Sequence, residues 1–139
     1  MVRFSNFDLI KILMKNSRIP FTQIAKNFGV TETSIRKRIK KLLDDKIIKR
    51  FTIDVDLKAL GLNTSLIGID VKPEFYTDVI TELKNNSKIK KLYTSTGDHM
   101  LMLEFWFKSN IELRNFTKKI KNINGVTRVC PAILLERIK

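Results

Sequence analysis

The sequence predicts an α+β protein in which three helices precede a β-α-β-β-α-β half. Three observations carry this. Apolar residues recur at helical spacing up to about residue 47 and at strand spacing just after it. Ala25, Gly29 and Ile35 stand four and six positions apart. Strand-like and helix-like segments after residue 63 follow one fixed order.

The elements follow in turn. Leu9, Ile10, Leu13 and Met14 share one face of a first helix, and Asn6 suits its N-cap. Pro20, at the end of "NSRIP", cannot continue a helix interior. Thr22 can cap a short second helix that buries Ile24, Ala25 and Phe28. Gly29 closes it as a residue free to take positive φ. Thr31 caps the third helix, "TETSIRKRIKKLL". Next, "IIKRFTIDVD" alternates like a strand over 48–56, with Phe51, Ile53 and Val55 on one face. "LKALGLN" is a helical turn closed by Gly61.

A strand over 64–71 is broken by Pro73. Helix "FYTDVITELKNN" turns Phe75, Val79, Ile80 and Leu83 inward. "KIKKLYTST" is a strand, Gly97-Asp98 a tight turn, and "MLMLEFWF" the strand after it. Ser109 or Asn110 caps a helix with Ile111, Phe116, Ile120 and Ile123 inward. Gly125 closes that helix, and "VTRVCPAILLERI" is the last strand. The order over 64–139 is the split βαβ, or ferredoxin-like, one. The expected division is 1–47, 48–63 as a linking strand and turn, and 64–139.

Composition narrows the function. The 139 residues are 43% hydrophobic, enough for one or two small domains with real cores. Net charge is +13, from 27 Lys and Arg against 14 Asp and Glu, which favours nucleic acid over an anionic membrane as partner. Cys130 is the single cysteine, so an intrachain disulfide is excluded and a reducing compartment is expected. The N-terminal segment holds Asp8 and Lys11 and reads as a helix, not a signal peptide. The longest apolar run carries Glu104 and is far shorter than a bilayer span, so a soluble, cytoplasmic protein is expected. Enzyme chemistry is disfavoured: one histidine, His99, and one cysteine stand without orienting groups nearby. There is no glycine-rich phosphate loop and no metal-ligand spacing, so no cofactor is expected. RNA binding on the sheet would need exposed aromatics with basic neighbours, yet Phe105, Trp106 and Phe107 stand among apolar ones.

The third helix holds the sharpest signal. At about 100° per residue, Ile39, Leu42 and Lys46 fall within about 40° of Ile35. Thr33, Lys37, Lys40 and Asp44 fall on the far side, with Arg36 and Lys41 at its shoulders. Alone, this describes any solvated amphipathic helix. The preceding residues change that. Two helices that cross closely need a small contact residue, Ala25, a turn residue able to take positive φ, Gly29, and a branched apolar plug, Ile35. These are the demands of a helix-turn-helix, here winged-helix-like, whose second helix enters the DNA major groove. Thr33, Arg36, Lys37 and Lys40 are placed to reach bases or nearby phosphates. Thr31 serves the cap, and the N–H groups of the helix start, through Ser34, can meet a phosphate. Lys41 adds charge at the shoulder, and Arg38 beside the apolar stripe is either a structural or a DNA-contacting residue.

The segment "IPFTQIAKNFGVTETSIRKRIKKLLDDKIIKRFTIDVDLKALGL" resembles the leucine-responsive regulatory protein (Lrp/AsnC) family. Its matching elements are Arg18, Ile24-Ala25, Gly29-Val30-Thr31, Ile35, Arg38-Ile39, Lys41-Leu42, Ile47-Ile48, Val55-Asp56 and Leu60-Gly61. "TGDHMLML" extends the likeness into the second half, so it covers essentially the whole chain. The resemblance implies a sequence-specific DNA-binding regulator of transcription. It implies a homodimer, assembling into tetramers or octamers, whose 48–56 strand pairs with its mate in the partner chain. The residues agree with such a contact: "MLMLEFWF" is apolar on both faces, and the face with Met100, Met102, Glu104 and Trp106 needs a second covering surface.

The resemblance also implies an amino-acid effector held between C-terminal domains, with Thr96, Gly97, Asp98, His99 and Cys130 as its residues here. Asp70, Tyr93 and Thr94 are further polar groups near the same edges. Two departures remove anchoring groups: Met100 replaces a frequent acid, and Val129-Cys130-Pro131 replaces frequent hydroxyls. Two more concern the recognition helix: Lys46 replaces a common glycine just after it, and Leu43 replaces an acidic residue. The competing reading is an architectural, nucleoid-type protein that coats DNA without an effector.

Overall fold

A computed structural model describes residues 4–139, which form two compact units divided between Asp54 and Val55. The first unit holds three helices, α1 (Asn6–Lys15), α2 (Phe21–Phe28) and α3 (Glu32–Asp44). Ser5, not Asn6, caps α1: its hydroxyl accepts from the Asp8 N–H while the Asp8 carboxylate accepts from the Ser5 N–H. That reciprocal pair satisfies two orphan donors at once, which Asn6 one step later cannot do. Leu9 and Leu13 are buried, while Met14 is 81% exposed and Ile12 packs in its place. Helix α2 begins at Phe21 behind Pro20, so Thr22 lies inside it and caps nothing. Proline presets the entry φ and has no N–H to satisfy.

Leu9, Leu13, Ile24, Ala25, Ile35, Ile39 and Leu42 make one core. Phe28 is half-buried, stacked on Phe4 with ring centroids 4.2 Å apart. Helices α2 and α3 end in the same way. Gly29 at φ 64° closes α2, with N–H bonds from Gly29 to the Lys26 carbonyl and from Val30 to that of Ala25. Lys46 at φ 56° closes α3, with bonds from Lys46 to the Leu43 carbonyl and from Ile47 to that of Leu42. Both are Schellman closures. One uses glycine; the other forces a lysine into the left-handed region. Among the described residues, the expected strand over 48–56 is not formed, and the segment pairs with none of the strands of the sheet.

The second unit opens with a 3₁₀ turn, Lys58–Leu60, closed by Gly61 at φ 75°. Then come β1 (Asn63–Val71), α4 (Tyr76–Lys84), β2 (Ile89–Thr94), β3 (Leu101–Phe107), α5 (Asn110–Lys121) and β4 (Val126–Leu134). The sheet is antiparallel with order β2-β3-β1-β4, the order expected of the ferredoxin-like pattern. Leu101, Leu103, Phe105 and Phe107 alternate into a core with Ile67, Ile69, Val79, Leu83, Leu113, Phe116 and Ile120. Phe105 stacks on Phe116 at 3.8 Å. Ser109 caps α5, accepting from the Glu112 N–H. Leu113 takes the inward place expected of Ile111, which is 65% exposed. Helical phase explains this, since Leu113, Phe116 and Ile120 lie three and four apart and Ile111 does not share their face. Between β2 and β3 there is no two-residue turn at Gly97-Asp98. Strand pairing stops at Thr94 and Leu101, and Ser95 and Met100 close the six-residue loop by one backbone bond of 3.0 Å.

Candidate nucleic-acid interface and a loop network

Burial of Ile35, Ile39 and Leu42 fixes which side of α3 is outward. Thr33, Ser34, Arg36, Lys37, Lys40 and Lys41 are exposed, and Arg38 is half-buried. Thr31 caps the helix, its hydroxyl accepting from the Ser34 N–H at 3.2 Å and meeting the Ser34 hydroxyl at 2.9 Å.

The basic residues then divide. Arg36 is held by Glu32 and lies over the Phe21 ring. Lys40 pairs with Asp44 at 2.9 Å, which raises its pKa. Arg38 donates to the Phe4 carbonyl at 2.8 Å and covers the Phe4 ring at 4.2 Å. It therefore ties the start of the described chain to α3, over the Phe4–Phe28 stack. Lys37 and Lys41 make no ion pair within the described residues and are the free cations of the helix.

In the second unit, the loop over 95–100 meets β1 and β4 in a charged network. Asp70 on β1 accepts from the Met100 N–H at 3.2 Å, lies 3.2 Å from His99 Nδ1, and pairs with Arg128 Nε at 2.8 Å. Arg128 also reaches Asp98 at 2.7 Å. Burial pushes the Asp70 carboxyl up, but the bonds from His99 and Met100 and the Arg128 charge outweigh it, so its pKa falls below the ordinary value. The His99 ring packs against β1 at Gly68, which has no side chain; a Cβ there would stand 2.2 Å from His99 Cδ2. Cys130 is opposite Gly68 in the β1–β4 register and half-buried. Thr96, Gly97 and Asp98 are exposed in the loop, and Tyr93 and Thr94 are exposed at the end of β2.

The structure thus brings Asp98, His99, Cys130 and Asp70 into one neighbourhood. Arg128 is the residue that sequence reasoning missed. Its signal was register: Asp70 and Arg128 are direct cross-strand partners, visible once β1 and β4 are aligned. Among the described residues no group of His, Cys, Asp and Glu is arranged to hold a metal ion, and no helix is long and apolar enough to cross a membrane.

Comparison with known proteins agrees with this geometry. The AsnC-type helix-turn-helix domain matches residues 7–43, and the Lrp/AsnC ligand binding domain matches 64–139. The HTH-type transcriptional regulator LrpA of Pyrococcus abyssi is 44% identical over 133 residues, 94% of each chain. AsnC of E. coli superposes with a TM-score of 0.80 at 26% identity, over 99% of this chain and 96% of that one. A transcriptional regulator from Neisseria meningitidis, solved as a complex with L-methionine, shares the fold with a TM-score of 0.83 at 15% identity, over 100% of this chain and 93% of that one. Its relatives are regulators and not enzymes, and the chain belongs to the Lrp/AsnC family of DNA-binding transcriptional regulators.

Proposed function

We propose that α3 enters the major groove through Thr33, Lys37 and Lys41, with Arg36 and Lys40 free to exchange their intrahelical carboxylates for phosphates. The observation that carries this is the outward position of the two lysines with no ion pair among the described residues, Lys37 opposite Ile35, Ile39 and Leu42 and Lys41 at the shoulder of that face. Thr31 and Ser34 close the helix start and present its N–H groups to a phosphate. Arg38 holds the unit together and reads no base.

The chain acts as a dimer or larger homo-oligomer in the cytoplasm, with 1–47 as the reading head, 48–63 as the link and 64–139 as the assembly domain. Phe51, Ile53 and Val55 support this: they alternate along the link and are exposed, Ile53 at 78%, as a strand awaiting a partner would be. Two-fold symmetry then sets half-sites about 34–36 Å apart, or a multiple of that.

A footprint across genomic DNA tests the reading. Protection of discrete palindromes is the expected result, and uniform coverage would favour the architectural alternative. Lys37→Ala should weaken binding without lowering the melting temperature, whereas Arg38→Ala should lower the melting temperature without DNA present. An unchanged affinity in Lys37→Ala overturns the placement of α3.

The loop over 95–100 is the effector site in this reading, with an amino acid as ligand, as the Neisseria relative binds L-methionine. One observation favours effector independence instead: Asp98, the group that would meet a ligand ammonium, is already engaged by Arg128. A thermal-shift series over the twenty amino acids decides between them. Stabilisation by any one at millimolar concentration supports the effector site, and none by any supports independence.

A further inference from the structure

We infer that α5 of the second unit carries a second contact surface for the DNA backbone. This rests on the chain's DNA-binding function and extends it beyond the helix-turn-helix.

Charge distribution is the first ground. Residues 55–139 hold 14 basic and 9 acidic side chains, a net +5. The stretch 108–121 alone holds Lys108, Arg114, Lys118, Lys119 and Lys121 against Glu112, a net +4. Almost the whole excess of the unit therefore sits on one helix and its entry. Helix α4, on the same side of the sheet, carries Asp78 and Glu82 against Lys84. The polarity belongs to α5 and not to the unit at large.

Geometry is the second. Leu113, Phe116 and Ile120 bury one face of α5, which leaves Arg114, Lys118 and Lys121 exposed at i, i+4 and i+7. Such a stripe runs about 10 Å along the axis and offers one cation to each of up to three phosphates of a strand. Lys119 lies on the other side, where it shares a groove of about 520 Å³ with Lys88, Asn86, Asn115, Ser109 and Glu112. None of these cations has an ion-pair partner among the described residues. The one acid of the helix, Glu112, accepts from the Lys108 backbone N–H at 2.9 Å.

Energetics is the third. Like charges at i and i+4 destabilise a helix, and Arg114 with Lys118 is such a pair with no carboxylate between. The helix dipole favours cations in the final turn, but Arg114 lies in the second turn, outside that effect. In α3, by contrast, Arg36 and Lys40 each have an acid one turn away. A polyanion supplies the counter-charge that α5 lacks. Duplex DNA is the polyanion this protein already engages.

The test compares the full chain with Arg114→Gln/Lys118→Gln/Lys121→Gln and with Lys88→Gln/Lys119→Gln. Affinity for a footprinted site with long flanking duplex is measured against salt. The triple variant should show a shallower plot of log affinity against log salt, by about 0.9 for each phosphate no longer neutralised and so up to about 2.7. The double variant should fall by up to about 1.8 on the same rule. Wild-type slopes in both overturn the inference. A changed oligomeric state with an unchanged slope overturns it too, since α5 would then face protein. If Lys37→Ala weakens binding while both α5 variants keep the wild-type slope, only this second surface fails. If the wild-type chain does not bind the duplex, the reading beneath it fails.

Discussion

The helix-turn-helix and the loop network are both small polar surfaces on an apolar support, yet they are assembled over different distances along the chain. In the first, Ile24, Ala25, Ile35, Ile39 and Leu42 fix the outward face from within one short stretch. In the second, Asp70 meets His99 and Met100 across 29 and 30 positions, and Arg128 farther still. The first face is a matter of helical phase. The second needs strand register and the bare backbone of Gly68 before any of its pairs can form. Energetics should differ accordingly: apolar burial holds the first, whereas the second depends on one close contact and a few half-exposed charges.

The largest effect should come from Ile35→Ala. Ile35 is fully buried at the crossing of α2 and α3. Removing it should cost about 2–5 kcal/mol. Because the two units have separate cores, urea unfolding should show an early transition for the first unit and leave that of the second in place. A uniform shift of the whole curve would break the comparison, since the units would then be one cooperative body.

Gly68→Ala comes next. The added Cβ must expel the His99 ring, and overpacking of this kind costs about 1–3 kcal/mol. A double-mutant cycle isolates the contact. In a His99→Ala background the same substitution should cost much less. Equal costs in both backgrounds would mean that the ring is not what Gly68 accommodates.

These two positions show what the sequence carries and what it does not. The spacing of Ala25, Gly29 and Ile35 was legible because helix phase is a local property, and so was the strand order of the second unit. Errors of phase came where a neighbour competes: Ser5 displaced Asn6 as cap through Asp8, and Leu113 displaced Ile111. Arg38 and Arg128 were not legible. One finds the Phe4 carbonyl 34 residues back, and the other finds Asp70 only through pairing of β1 with β4. The Gly97-Asp98 pattern suggests a two-residue turn, but the bond from Met100 to Asp70 and the pairing of Asp98 with Arg128 hold a wider loop open. Side-chain partners from elsewhere outweigh turn chemistry there.

Lys46→Gly probes the first unit more gently. Gly29 and Lys46 close their helices by the same bonds, and only one of them is glycine. A non-glycine residue in the left-handed region costs about 1–2 kcal/mol, and glycine adds back about 0.5–1 kcal/mol of unfolded-state entropy. The substitution should therefore stabilise the first unit by about 0.5–1 kcal/mol, read as a later urea midpoint. Gly29→Ala should do the reverse. If both substitutions shift the midpoint in the same direction, φ does not govern these closures.

The smallest effect concerns Asp70. Its carboxyl titrates below the ordinary aspartate value, because the bonds from His99 and Met100 and the charge of Arg128 outweigh burial. A carboxyl whose pKa falls on folding binds its proton more weakly in the folded state. Its contribution is thus complete above the unfolded value of about 3.9 and is lost as pH drops through the lower folded one. Asp70→Asn removes that contribution, so the variant should be less stable near neutral pH and approach the wild type below about pH 4. Arg128 is half-exposed and Asp98 largely so, and solvent screening should hold the difference under about 1 kcal/mol. Urea midpoints of the second unit, taken from neutral to acid pH, measure it. Parallel curves across that range would mean that Asp70 has the same proton affinity folded and unfolded. The loop would then be held by the seating of His99 on Gly68 and not by charge, and the two polar surfaces would differ only in the distance along the chain from which their apolar supports are drawn.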